Sequence, residues 1–183
     1  MAYLRFREDK TTQAAARLLR LKKGRIPYLS LIKLLYFADR RALAALGHPI
    51  SSDLFVSMPH GPVLSRTYDL IVGETDPEPT YWRQHISEPE NYEVFLTQDP
   101  GNDSLSPAEE SVLDLVFREF GHLSKWSLKD RAHELPEYED PHGSSIPIRL
   151  RDILKAQGIS EDDATSLLDD LRAADYTAEQ LTE

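Results

Sequence analysis

The sequence predicts a mainly α protein of the α+β kind: a helical domain around a central apolar helix, with a small β-hairpin element. Residues 28–46 place apolar side chains around most of a helical circumference, between Pro27 and Gly47. A helix of that kind belongs at the centre of a core. Ser106-Pro107-Ala108-Glu109 combines a Ser cap, Pro at the first position and Glu three residues after the cap, which marks a second well-specified helix start. Residues 82–86 and 91–98 read as two strands of a hairpin. In the second, Tyr92, Val94 and Leu96 alternate with Glu93, Phe95 and Thr97.

The remaining elements follow in order. A first helix is predicted over residues 12–23, capped by Thr11 or Thr12 and stopped by Gly24, with Ala15, Leu18 and Leu19 on its apolar stripe. The central helix follows from Pro27 and ends at Gly47-His48-Pro49. Residues 50–58 carry a weak strand alternation. Two prolines and a glycine in Pro59-His60-Gly61-Pro62 force a tight, rigid turn, and Pro62 is placed to open a helix over 63–72. The helix begun at Ser106 carries Val112, Leu113, Val116 and Phe120 to Gly121. Ser124 or Ser127 starts a short helix that Pro136 ends. Residues 137–145 are polar loop, 148–157 a short helix closed by Gly158, and Ser160 caps a last helix over 161–174.

The chain has 183 residues, of which 40% are hydrophobic, enough for one folded core without staples. Cysteine is absent, which excludes a disulfide framework, thiol catalysis and cysteine-ligated zinc. No leader-like stretch and no run near the ~20 apolar residues of a membrane span is visible. These absences point to a cytoplasmic protein with no membrane partner. The net charge of −10 is unevenly spread. Residues 1–72 hold 12 basic and 5 acidic side chains, and residues 160–183 hold 8 acidic and a single basic one, Arg172. The division expected is a domain over 1–158 and an acidic C-terminal helix and tail over 159–183. Charge of this kind either keeps the chain soluble or steers a basic partner.

Few residues suggest chemistry. Neither a phosphate-binding glycine loop nor a nucleophile elbow occurs. His133-Glu134 is followed by Leu135-Pro136, so the zinc-protease pattern fails. The six histidines, His48, His60, His85, His122, His133 and His142, lack ligand-like spacing. No metal, cofactor or catalytic residue is assigned. His60 in its rigid turn is either a base or a ring bonded to nearby backbone. Lys33 interrupts the central helix. Either its stem packs while the ammonium reaches water, or the ammonium meets a carboxylate or carbonyl inside. Asp39 can meet Arg40 and Arg41, or a loop amide from another element. Adjacent acidic pairs such as Glu109-Glu110 and Asp169-Asp170 diverge by about 100° on a helix and read as a solvated face.

One ordered set of motifs stands out. Lys33 precedes Leu34-Leu35-Tyr36-Phe37-Ala38-Asp39, then come Gly47-His48-Pro49-Ile50 and His60-Gly61-Pro62-Val63 with Tyr68. The set extends back to Phe6 and Lys10 and forward, more weakly, to Leu128 and His133. This order resembles the Panacea domain, or SocA-like antitoxin family, over roughly residues 4–155. Two features depart from the family pattern: Leu135-Pro136-Glu137-Tyr138 stands where an aromatic usually follows His133, and the acidic end lies outside it.

The resemblance implies a helical domain with a small β element and a bacterial or phage antitoxin that is not an enzyme. It implies a cognate protein toxin as partner, neutralised by direct contact, in a homo-oligomer or a toxin–antitoxin hetero-oligomer. Family toxins include nucleotide-synthesising enzymes and replication inhibitors, and one member is an adaptor that delivers its toxin to a protease, so a Clp-type protease is a further implied partner. On the same ground the expected signature or partner-binding residues are Lys33, Tyr36, Asp39, His60, Gly61, Pro62, Tyr68 and His133. Two other classes compete: an enzyme using His60 and Asp39 as acid and base, and a DNA-binding regulator using Arg17, Arg20, Lys22, Lys23 and Arg25 of the basic first third.

Overall fold

Thr11 and Thr12 lie inside the first helix, not ahead of it. In the computed structural model, which describes residues 4–73 and 80–180, helix α1 spans Glu8–Leu21. It begins upstream of the expected start because both hydroxyls turn back into the helix: Thr11 donates to Arg7 O at 2.7 Å and Thr12 to Glu8 O at 2.8 Å. A threonine bonded back into its own turn is no longer a cap. Glu8 and Asp9 instead occupy the first turn, where the positive end of the helix dipole favours carboxylates. The chain reverses through Lys23 and Gly24, with φ of 65° and 93°.

Strand β1 (Arg25–Pro27) leads directly into α2 (Tyr28–Leu46), with the bounds expected from Pro27 and Gly47. Residues 30–39 of α2 are buried without a break. Around them pack α1 and the later segments Gly61–Leu64, Pro107–Phe120, Lys125–His133 and Leu150–Ala156, so α2 is the axis of the core.

The turn motif folds as a β-hairpin. Strand β2 (Phe55–Met58) pairs antiparallel with β3 (Gly61–Leu64), in register Phe55 with Leu64 and Met58 with Gly61. Pro62 therefore does not open a helix. It sits in an edge strand, where a residue lacking an N–H is tolerated, and α3 (Ser65–Val72) starts after it. No side chain at its own N-terminus caps α3. Asp53, from before the hairpin, does so across space: it accepts from Leu54 N and Arg66 N at 2.6 and 3.0 Å, and from Thr67 N and Oγ1 at 2.8 and 2.7 Å.

The hairpin expected from residues 82–98 does not form. Tyr81–His85 is a short helix, α4, with Thr80 as its cap. Trp82 is 1% exposed, and its backbone N–H donates to Glu8 Oε1 at 2.9 Å. The weak strand preference of five residues cannot outweigh that seat against α1. Strand β4 (Glu93–Phe95) pairs with β1 instead, Arg25 opposite Phe95 and Pro27 opposite Glu93. The expected pairing survives as one bridge, Ile86 with Leu96.

Helix α5 (Pro107–Phe120) carries the full capping box: Glu109 N donates to Ser106 Oγ and Ser106 N to Glu109 Oε2. Ser124 caps α6 (Lys125–His133). A short strand β5 (Ile146–Pro147) joins β2 on the side opposite β3. Helices α7 (Leu150–Ala156) and α8 (Glu161–Gln180) complete the chain, and α8 runs beyond the expected residue 174. Its first half buries Ala164 and Leu168. Among the described residues no helix is long and apolar enough to cross a membrane.

Replacing Asp53 with Ala removes the acceptor of three N–H groups, those of Leu54, Arg66 and Thr67, and of the buried Thr67 hydroxyl. Chemical denaturation is expected to show a loss of about 3 kcal/mol, since each buried unmade hydrogen bond costs about 1–3 kcal/mol. Ser106→Ala, at an exposed cap, is expected to lose about 1 kcal/mol.

Candidate functional site

The motif residues meet where the β2–β3 hairpin is laid on α2 and α6. Lys33, in the second turn of α2, is 0% exposed, and its Nζ donates to Pro62 O at 2.7 Å. Of the two outcomes open to it, the ammonium takes the internal carbonyl and does not reach water. Burial, with Lys129 also near, lowers its pKa to about 7.

Gly61 makes this approach possible. Its φ is +94°, a conformation that side chains with a Cβ avoid. A Cβ there would stand 2.9 Å from His133 Cδ2 and 3.1 Å from Lys33 Nζ. His133 ends α6, and its ring stacks on Tyr138 with centroids 4.7 Å apart and planes at 6°. Its Nε2 is buried and makes no hydrogen bond among the described residues. Burial, Lys129 and Lys33 together lower its pKa, which favours the neutral ring.

The loop after α6 straps the hairpin down. Tyr138 Oη donates to Met58 O at 3.2 Å and Glu139 N to Ser57 Oγ at 3.3 Å. Glu137, whose side chain is fully buried, accepts from Tyr36 Oη at 3.2 Å and from Arg40 Nε at 2.6 Å. Tyr36 also packs edge-on against Phe55, with centroids 5.5 Å apart. Burial, then Glu137, raises the Tyr36 pKa well above its ordinary value.

Asp39 holds the next loop. It accepts from Ile50 N at 2.8 Å, from Ser51 N at 3.1 Å and from Ser51 Oγ. Of its two expected kinds of partner, the loop amides are the ones it takes. Burial pushes its pKa up to about 7, against the pull of those three donors.

Lys33, Gly61, Pro62 and His133 thus converge, and Tyr36 joins them through the strap. Tyr68 lies apart on α3, half-buried against the core. His60 does not converge: it is exposed at the hairpin tip, and its ring makes no hydrogen bond to backbone among the described residues. With Asp39 buried in α2 against Ile50 and Ser51 and His60 exposed at the hairpin tip, the acid–base pair weighed for an enzyme does not assemble. Glu137, Tyr138 and Asp53 were not anticipated. Their partners stand far off in sequence, 101 residues in the case of Tyr36 and Glu137, and no local pattern marks such pairs. Among the described residues no cluster of three or more His, Asp or Glu could hold a metal ion.

Two outcomes test this geometry. Gly61→Ala meets both the φ constraint and the Lys33–His133 contact, so it is expected to cost about 3 kcal/mol. Gly101→Ala, with φ of 72° and nothing within 4 Å of the added Cβ, is expected to cost about 1 kcal/mol in denaturant titrations. Lys33 carries a lowered pKa, so its support for the fold is full at alkaline pH and is lost as pH falls through about 7. Between pH 9 and pH 6 the wild type is therefore expected to lose on the order of 2 kcal/mol relative to Lys33→Met, read from paired unfolding curves.

A family model described as antitoxin SocA-like, Panacea domain, matches residues 31–138, the span from the second turn of α2 to the Tyr138 strap. No curated protein and no solved structure matches the chain. The matched span covers more than half of the chain and contains Lys33, Gly61, Pro62 and His133, which meet at the hairpin seat: the protein belongs to the SocA-like antitoxin, Panacea domain family.

Proposed function

We propose that this protein is a cytoplasmic antitoxin that neutralises a cognate toxin by direct contact, without catalysis. The family match over residues 31–138 carries the proposal. The physics of the site supports it. Lys33, Gly61 and His133 hold the hairpin in one position, leaving Pro59 and His60 exposed at its tip. A preformed surface of this kind loses little conformational freedom when a partner arrives. The titratable residues at the seat are committed to internal contacts or stacked, an arrangement suited to shape more than to turnover.

The DNA-binding alternative has less to stand on. Of the basic residues in and after α1, Arg17 pairs with Glu110 and Asp114, Arg20 with Asp99 and Arg25 with Glu93. Such side chains are poorly placed to neutralise phosphates. We assign neutralisation to residues 1–158 and leave to 159–183 an accessory role in covering a basic groove on the toxin.

The test is coexpression with the gene adjacent to this one. The neighbour alone is expected to arrest growth, and this chain is expected to restore it and to copurify with the neighbour's product. Growth arrest that persists despite full expression of this chain would count against neutralisation. A variant truncated after Ile159 that rescues as well as the full chain would remove the accessory role.

A further inference from the structure

We infer that an aromatic and lysine patch at the start of α6 is the surface on which the partner protein docks, through a segment bearing an apolar anchor beside carboxylates. Among the described residues Tyr92 and Trp126 are unusually open for their size, at 71% and 59% exposed. They share one cation: Lys125 Nζ lies 5.7 Å from the Tyr92 ring centre and 5.1 Å from that of Trp126. Tyr92 also stacks on Tyr28 at 6.5 Å. Two exposed aromatics and a lysine gathered at one spot form the kind of anchor that binding surfaces use.

The backbone holds this arrangement at a cost. Asn91 and Tyr92 both have positive φ, 52° and 65°, in a two-residue turn closed by Glu90 and Glu93. Such a turn favours glycine at its second position, and here a tyrosine occupies it. The turn is tied down where Tyr28 N donates to Tyr92 O at 2.9 Å. Beyond its stack on Tyr28, the ring on this left-handed residue stays open to solvent, 71% exposed, so the strained backbone holds it outward.

Lys125 also lines a groove of about 310 Å³ beside the aromatics. Its walls include Ile26, Pro27, Leu34 and Leu128, with Lys22 and Lys125 as its cations and no carboxylate. In a chain with 31 acidic residues, a concavity free of them is selective for acidic partners. Lys125 sits in the first turn of α6, which contains no acidic residue, so its charge adds to the positive end of the helix dipole. The apolar walls suit a hydrophobic side chain and the cations suit the carboxylates next to it. Single-stranded nucleic acid also stacks on aromatics beside lysines, but it gains nothing from the apolar walls of the groove and meets a net charge of −10.

The inference rests on the proposed neutralisation of a toxin, and the test separates the two. The probe is the purified product of the adjacent gene, titrated against the full chain by calorimetry and by tryptophan emission. Trp82 is already buried, so a blue shift on binding reports Trp126. Tyr92→Ala with Trp126→Ala, and separately Lys125→Glu, are expected to weaken binding at least tenfold, while Lys125→Arg retains it. Circular dichroism is expected to be unchanged, since these side chains lie at the surface. Wild-type affinity in both weakened variants would overturn the docking surface and leave the antitoxin reading standing. No binding by the wild-type chain would overturn both. Capture of a dT20 oligonucleotide by the wild type and its loss in the same variants would assign the patch to nucleic acid and overturn the inference.

Discussion

A lysine ammonium buried without a carboxylate beside it is unstable unless something specific receives it. Here the receiver is the carbonyl of Pro62, on an edge strand, reached only because Gly61 has no side chain to stand between strand and helix. The hydrogen bond between Lys33 and Pro62 therefore sets where the hairpin lies on α2. His133 closes the same contact from α6, and Tyr138 stacks behind it. Each element is placed by the others, and this mutual dependence gives a short hairpin, marginal by itself, a single position.

Charge plays the same role on a larger scale. The basic first third and the acidic remainder face each other inside one molecule. Lys10 meets Glu109, Arg17 meets Asp114 and Arg40 meets Glu137, at 2.7, 2.7 and 2.6 Å. These pairs join α1 to α5 and α2 to the strap. Glu109 is the clearest case, since it both completes the capping box of α5 and receives Lys10. Much of the apparent charge asymmetry is thus spent on assembly, and the strongest unbalanced acid lies on the exposed side of α8.

Helix α6 links two surfaces. Its last residue, His133, faces the hairpin seat, and its first, Lys125, carries the aromatic patch. A helix of 9 residues spans about 13 Å, which sets the distance between the two surfaces. A partner docked at the patch would meet a helix whose other end is already locked. Such a frame transmits little adjustment and suits recognition by shape.

The central helix and its bounds, the capping box of α5 and the tight turn at Pro59-His60-Gly61-Pro62 were legible in the chain because each rests on local chemistry: Pro27 and Gly47 act on their own backbone, Ser106 and Glu109 meet three residues apart, and the prolines and Gly61 act on their own turn. The motif order also pointed to the family. What the chain could not show was which partner a segment would choose across space. Residues 82–86 read as the partner strand of the alternating segment 91–98, yet Trp82 is drawn into a helical seat against α1. Pro62 could open a helix or close a strand edge, and only the neighbouring β2 decides. Lys33 could reach water or stay inside, and the space above Gly61 decides. Periodicity and capping are set within a few residues and survive in any environment. Burial and hydrogen-bond partners come from segments as many as 101 residues apart, and those meet only in the folded chain.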